Sequence, residues 1–294
     1  MNYLNGQGEM TLKTAIVADT NSNLTPDMVR DLDVHLIPMP FFVGGETYWE
    51  GTTLDHATFF QKLREGVEVS TSQPPPEQIT QLWEQLLEEH DYVLHFPMTS
   101  GLSGSCETAK ALAKDYGGRV LVVDDRRISL TLMQSIANAR QLLDQGMSAP
   151  EVQQRLEAEA DQSSIYLAVN TLELLRKSGR VTAAAAAMAA VLHIKPVLQI
   201  QGGKLDAYKK VRGMIQAKKV MIEALKQDLA TRFAGVKMAV YSGYTGADPS
   251  YGERWQEEVQ AAFPEYRVGL TCLPLSICCH TGEGVLGLGC AKLV

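Results

Sequence analysis

The chain is short of positive charge: 27 Lys and Arg stand against 34 Asp and Glu, a formal net charge of -7. A protein whose main partner is nucleic acid carries a basic surface, so nucleic acid is excluded as that partner. The same deficit leaves at most transient contact with an anionic membrane. No uninterrupted apolar run approaches the roughly 18 residues of a membrane span. The opening MNYLNGQGEM has no basic segment followed by an apolar core, so it does not read as a secretory signal. Residues 1–12 read as a loose leader, with Met10 as a candidate natural start.

Nucleotide and metal signatures are missing as well. No strand runs into G-x-G-x-x-G, no G-K-[ST] occurs, and neither H-E-x-x-H nor an EF-hand loop is present. Cysteine is sparse and odd in number: Cys106, Cys272, Cys278, Cys279 and Cys290. No CxxC pair exists, and adjacent Cys278-Cys279 lacks zinc spacing. The thiols are expected to be buried and free in a reducing cytosol, with no cofactor and no metal.

What is present is enough for real cores. Apolar residues make up 45% of 294, which predicts two domains. Apolar runs at Thr14–Ala18, Tyr92–Phe96 and Val120–Asp125 read as buried strands, alternating with helices after Pro26, over Glu77–Glu89 and over Ile128–Gln145. This alternation predicts an α/β domain over residues 13–163 with a mostly parallel sheet. Val34–Val43 reads as extended chain turned by Gly44-Gly45 into a hairpin. Residues 164–294 mix hairpins with helices and read as α+β: a strand at Ser164–Asn170, a short helix ending at Gly179, an alanine-rich helix over Ala183–Leu192, a hairpin around Gly202-Gly203, and a strand over Arg267–Leu275.

Three loops are rich in hydroxyls: Asp19–Ser22, Ser70–Ser72 and Thr99–Ser105. Hydroxyls and free backbone N–H groups at a helix start favour an anion, although Thr99 and Ser105 also suit simple capping. Gly101 and Gly104 allow close backbone approach. Gly101-Leu-Ser103-Gly-Ser105 falls one glycine short of the nucleophile elbow G-x-S-x-G, and Asp124 and His280 stand in the chain order of an α/β-hydrolase triad. A serine hydrolase using Ser103 is therefore the alternative reading. Basic residues gather around Gly179 (Arg176, Lys177, Arg180) and before Gly213 (Lys209, Lys210, Arg212), and His280, beside glycines at an expected strand end, has room for a ligand.

Taken in order, these pieces resemble the DegV family over about Leu12 to Val294. The resemblance rests on Val17-Ala-Asp-Thr-Asn-Ser-Asn-Leu, Thr71-Ser-Gln-Pro, Thr99-Ser-Gly-Leu-Ser-Gly-Ser, Leu174-Leu-Arg-Lys-Ser-Gly-Arg180, Ile194-Lys-Pro-Val-Leu, Val211-Arg212 and His280-Thr-Gly. It implies a two-domain fold with a long-chain fatty acid buried between the domains. The carboxylate is then expected on Thr71 and Ser103, flanked by Ser72 and Gly104. Some members are the lipid-carrying subunit of a bacterial fatty-acid kinase, whose separate ATP-binding subunit phosphorylates the bound acid. In those members an Arg after Gly, a second Arg and a His surround the transfer site, which correspond to Arg180, Arg212 and His280. A lipid sensor or store without a kinase partner is a further alternative. Two departures stand out: Asp19-Thr20 where the family usually reads Asp-Ser, and Glu283 in place of a proline. A carboxylate at 283 is expected to raise the His280 pKa or to repel phosphate.

Overall fold

A computed structural model describes residues 12–188 and 194–294. Thr14–Asp19 (β1) is buried along almost its whole length, as a parallel strand covered on both faces must be. Pro26–Asp31 (α1) follows, with Pro26 in its first turn and the Thr25 hydroxyl accepting from Met28 N. Val34–Ile37 (β2) pairs parallel with β1. The extended segment then breaks, because Pro38 and Pro40 lack the N–H that a continuous ladder needs. Pro40–Val43 (β3) turns through Gly44 and Gly45, both at positive φ, into Glu46–Trp49 (β4). After His56–Arg64 (α2), Val69–Thr71 (β5) pairs with the other edge of β3, giving a separate antiparallel sheet β4-β3-β5.

Pro76–Leu87 (α3), Tyr92–Phe96 (β6), Ser105–Ala113 (α4), Val120–Val122 (β7), Leu130–Asp144 (α5) and Ala149–Ala158 (α6) complete the first domain. Its sheet has the order β2-β1-β6-β7 and is parallel throughout. Helices α5 and α6 bury Ile16, Leu94 and Phe96 on one face, while α3, through Trp83, and α4 bury Val17 and Val93 on the other. The chain leaves β1 toward β2 and returns on the opposite side as β6. The carboxyl ends of β1 and β6 therefore frame a topological switch point, where open α/β sheets leave a crevice.

The second domain runs through Ser163–Ala168 (β8), Glu173–Ser178 (α7), Ala183–Ala187 (α8), Lys195–Ile200 (β9), Leu205–Val211 (β10), Met214–Ala230 (α9), Met238–Tyr244 (β11), Pro249–Ala262 (α10), Gly269–Cys272 (β12), Leu275–Thr281 (α11) and Leu286–Lys292 (β13). Gly179 caps α7 at φ 69, as its sequence predicts. The alanine-rich helix is seen as α8, and its expected continuation to Leu192 lies largely outside the described residues. The sheet has the order β10-β9-β8-β13-β11-β12, antiparallel except for β11-β12. Helices α9 and α10 pack Met221, Trp255 and Val259 against one face. The opposite face turns toward the first domain.

The C-terminal stretch departs from its sequence reading. The expected strand over Arg267–Leu275 shortens to β12, and His280 sits in the last turn of helix α11, not at a strand end. Strand β13, Leu-Gly-Leu-Gly-Cys-Ala-Lys, carries no propensity signal because glycine alternates through it. Its conformation comes from its two neighbours, β8 and β11, which satisfy its backbone on both edges.

Candidate functional site

A cavity lies between the domains, and the space in it, solvent at its open mouth included, amounts to about 980 Å³. Its walls are largely apolar: Leu130 from α5, Ile165 and Leu167 from β8, Leu205 from β10, and Leu273 and Ile277 around α11. Against these stand a few polar side chains, chiefly Thr71, Ser72, Gln73, Ser103, Arg180 and His280.

Each is held by a definable local arrangement. Thr71 ends β5, and the Ser72 N–H donates to Pro40 O at 3.3 Å, extending the ladder by one bond. Gln73 Oε1 accepts from Thr108 Oγ1 at 3.1 Å, tying this loop to α4. Ser103 Oγ accepts from Ser105 N at 3.1 Å, at the start of that helix. The loop carrying Ser103 is anchored by Asp19 Oδ2, which accepts from Met98 N at 3.1 Å and from Ser105 Oγ at 3.5 Å. It also meets the β9–β10 turn. Thr99 Oγ1 donates to Gly203 O at 3.3 Å, and a Cβ on Gly101 would lie 2.2 Å from that oxygen, so only glycine fits. Thr20, where the family usually has serine, keeps the hydroxyl and accepts from Met39 N at 2.9 Å.

Helix α11 is fixed from the first domain. The Glu50 carboxylate, only 8% exposed, accepts from Leu275 N at 3.1 Å and Ser276 N at 2.7 Å, where a helix start favours negative charge. At the other end of α11, His280 Nε2 lies 2.8 Å from Thr71 Oγ1. Its Nδ1 is buried with no partner among the described residues. Arg180 follows the Gly179 cap and donates to Ser178 O, with its charge near His280.

The described residues lining the cavity do not include Gly104 or Arg212. Gly104 is the N-cap of α4, behind Ser103, and Arg212 is exposed just beyond β10. Ser103, Asp124 and His280 are not assembled into a hydrolase triad. The hydroxyl that His280 meets is that of Thr71, its Nδ1 has no orienting acid among the described residues, and Asp124 is engaged by Lys110 Nζ at 3.1 Å. Sequence reasoning did not single out Glu50, which has no local signal, or Asn21, whose Oδ1 is buried without a partner among the described residues in the cavity wall. Gln73 was visible only as part of the Thr71-Ser-Gln-Pro stretch.

The expected effect of Glu283 on His280 is overturned. Arg64 Nη1 donates to Glu283 Oε1 at 3.1 Å, so that carboxylate is paired away from the imidazole. Burial, and then the Arg180 charge, push the His280 pKa down from 6.5 to about 4. His280 is neutral at pH 7. As pH falls below 6.5 the unfolded chain takes up a proton that the folded chain refuses until about 4, so stability is lost through that window. Fully buried Asp125 acts in the opposite sense. Burial raises its pKa from 3.8 to about 6, so its contribution is present at low pH and lost as pH rises through 6. Each effect is worth roughly 3 kcal/mol, and the two offset each other between pH 6 and 4. Urea melts of lipid-free His280→Asn and Asp125→Asn across pH 4–7 should therefore diverge. Relative to the parent, the first gains stability toward acid and the second toward neutral pH. Differences independent of pH in both variants would refute these protonation states.

Comparison with known proteins agrees with this architecture. The model of the DegV family, described as uncharacterised protein, matches residues 13–293. A DegV domain-containing protein of Deinococcus radiodurans is 33% identical over 246 residues, 83% of this chain and 87% of that protein. One from Listeria innocua is 29% identical over 287 residues, covering 95% and 98%. Among solved structures, a DegV family protein of Thermus thermophilus, described by its fatty acid binding, has a TM-score of 0.88 at 30% identity and covers 96% of this chain and 100% of that one. A Thermotoga maritima protein whose structure is said to reveal fatty acid binding function has a TM-score of 0.80 at 26% identity, covering 96% and 100%. With its motifs, its two-domain architecture and a match over nearly its whole length, the chain belongs to the DegV family.

Proposed function

We propose that this protein binds a long-chain fatty acid in the cavity between its domains and presents the carboxylate to a separate ATP-dependent kinase subunit. The observation that carries the reading is an apolar cavity with a small hydroxyl, imidazole and guanidinium cluster in its wall. The fatty acid binding described for the Thermus and Thermotoga relatives supports it. A buried carboxylate is costly unless hydrogen bonds replace its water. Thr71 and Ser103 donate their hydroxyl protons to it, with Ser72 alongside, while Gly104, behind Ser103 and outside the cavity wall, serves only the loop. In the tautomer that carries its proton on Nε2, His280 donates to Thr71 Oγ1, 2.8 Å away, and leaves that hydroxyl proton free for the acid. Being neutral, His280 adds no charge to the site.

Phosphate transfer to the carboxylate needs cations where negative charge accumulates. Arg180 supplies one from the cavity wall, and Arg212, outside it, acts from the phosphate side. The ATP site belongs to the partner, in keeping with a chain that carries no nucleotide motif. The protein by itself is a carrier and not a complete enzyme, resident in the cytoplasm.

Mass spectrometry of lipid extracted from the purified protein tests binding. The expected result is a long-chain acid in near-stoichiometric amount. No copurified acid together with no uptake of added oleate or palmitate would sink the reading. Acyl-phosphate formation upon adding a kinase subunit and ATP tests presentation, and its failure with lipid still bound would leave a sensor or store.

A further inference from the structure

Two strand glycines in the cavity wall have no backbone reason to be glycine. Gly243 of β11 and Gly287 of β13 face each other directly across the antiparallel ladder, and both line the cavity. Neither has a positive φ. Other glycines of this sheet are explained by crowding: a Cβ on Gly269 would lie 2.7 Å from the Tyr241 ring, and one on Gly289 would lie 2.9 Å from Ser164 O. The pair differs. A Cβ on Gly243 would meet Leu273 Cδ2 at 3.4 Å and Leu130 Cδ1 at 3.6 Å. One on Gly287 would meet Leu167 Cδ2 at 3.3 Å, a tight contact that this side-chain end must relieve by a few tenths of an ångström, with no backbone atom nearer than 3.7 Å. Leu130, Leu167 and Leu273 are themselves cavity wall.

Glycine inside a strand is destabilising and often marks a site where a ligand approaches closely. Here the missing side chains leave a notch in the sheet face. Its place along the cavity follows from α11. Leu273, beside Gly243, precedes the first turn of that helix, and His280 lies in its last. At 1.5 Å per residue the notch lies on the order of 10 Å from the Thr71–His280 pair. That is the stretch where the middle of a long hydrocarbon runs when its carboxylate sits on Thr71.

We propose that Gly243 and Gly287 determine acyl-chain specificity: their notch admits the middle of a long chain, and filling it restricts the site to short acids. The inference rests on the fatty-acid reading above. Overfilling a packed apolar space costs about 1–3 kcal/mol, a factor of roughly 5 to 150 in affinity.

The test compares oleate and octanoate binding to delipidated parent, Gly243→Val, Gly287→Val and the milder Gly243→Ala, with thermal melts as a folding control. Oleate affinity should fall about tenfold or more in the valine variants and less in the alanine one, while octanoate affinity moves less than about threefold. An unchanged oleate-to-octanoate ratio in the folded variants, or equal loss of both acids, overturns the proposal. Gly243→Ala adds one methyl at ordinary contact distances, so it keeps the comparison open if a valine variant does not fold. A parent protein that takes up neither acid defeats the binding reading itself, and the specificity proposal with it.

Discussion

Oleate affinity should drop by roughly a hundredfold or more when Thr71→Val is combined with Ser103→Ala, because a hydrogen bond to a charged group contributes about 1.5–3 kcal/mol. Both side chains lie in the wall of an apolar cavity, so water does not readily replace a lost donor. Thr71→Val should cost more than Ser103→Ala. It removes the proposed donor to the carboxylate and also strands His280 Nε2, whose partner among the described residues is Thr71 Oγ1 at 2.8 Å. Thr71→Ser restores the hydroxyl and should recover most of the affinity. Ser103→Ala also loses the acceptor for Ser105 N, so its melting temperature must be followed alongside. Titration calorimetry with oleate reads the effect, and a double variant that binds like the parent would place the carboxylate elsewhere.

Arg180→Ala should separate carrying from transfer. Its guanidinium is half-buried at the cavity, tied to Ser178 O, and near enough to His280 to lower the imidazole pKa. No hydrogen bond to Thr71 or Ser103 passes through it among the described residues. Loss of one positioned charge-stabilising group at a reacting centre lowers rate by roughly 100- to 1,000-fold. Acyl-phosphate formation with the kinase subunit and ATP should fall by that factor while copurified lipid stays near the parent level. Arg180→Lys should restore little, since an ammonium does not reproduce the planar two-pronged donor. Loss of lipid in Arg180→Ala would assign the residue to binding, and unchanged transfer would remove it from the mechanism.

Much of the fold can be read along the chain. Strands β1, β6 and β7 are mostly apolar runs without alternation, as the strands of a covered parallel sheet are. The turns at Gly44-Gly45 and Gly202-Gly203 announce their hairpins, and all four glycines have positive φ. What escapes a linear reading is held from a distance. Strand β13 is glycine-rich and becomes a strand because β8 and β11 pair with its edges. Helix α11 begins where it does with a carboxylate 225 residues away on its first N–H groups. Glu283 looks like a hazard for His280 in sequence, yet its partner is Arg64, 219 residues earlier.

Most local elements, and the short segments that carry hydroxyls, arginines and the histidine, are legible in adjacent residues and their periodicity, and the order of those segments is what carries the family resemblance. Tertiary structure alone decided that Thr71 meets His280 across 209 residues, that His280 stays neutral, that Arg212 stands outside the cavity wall, and that Gly243 faces Gly287. Each of those is a matter of distance, desolvation or empty volume, quantities that exist only once the two domains face each other.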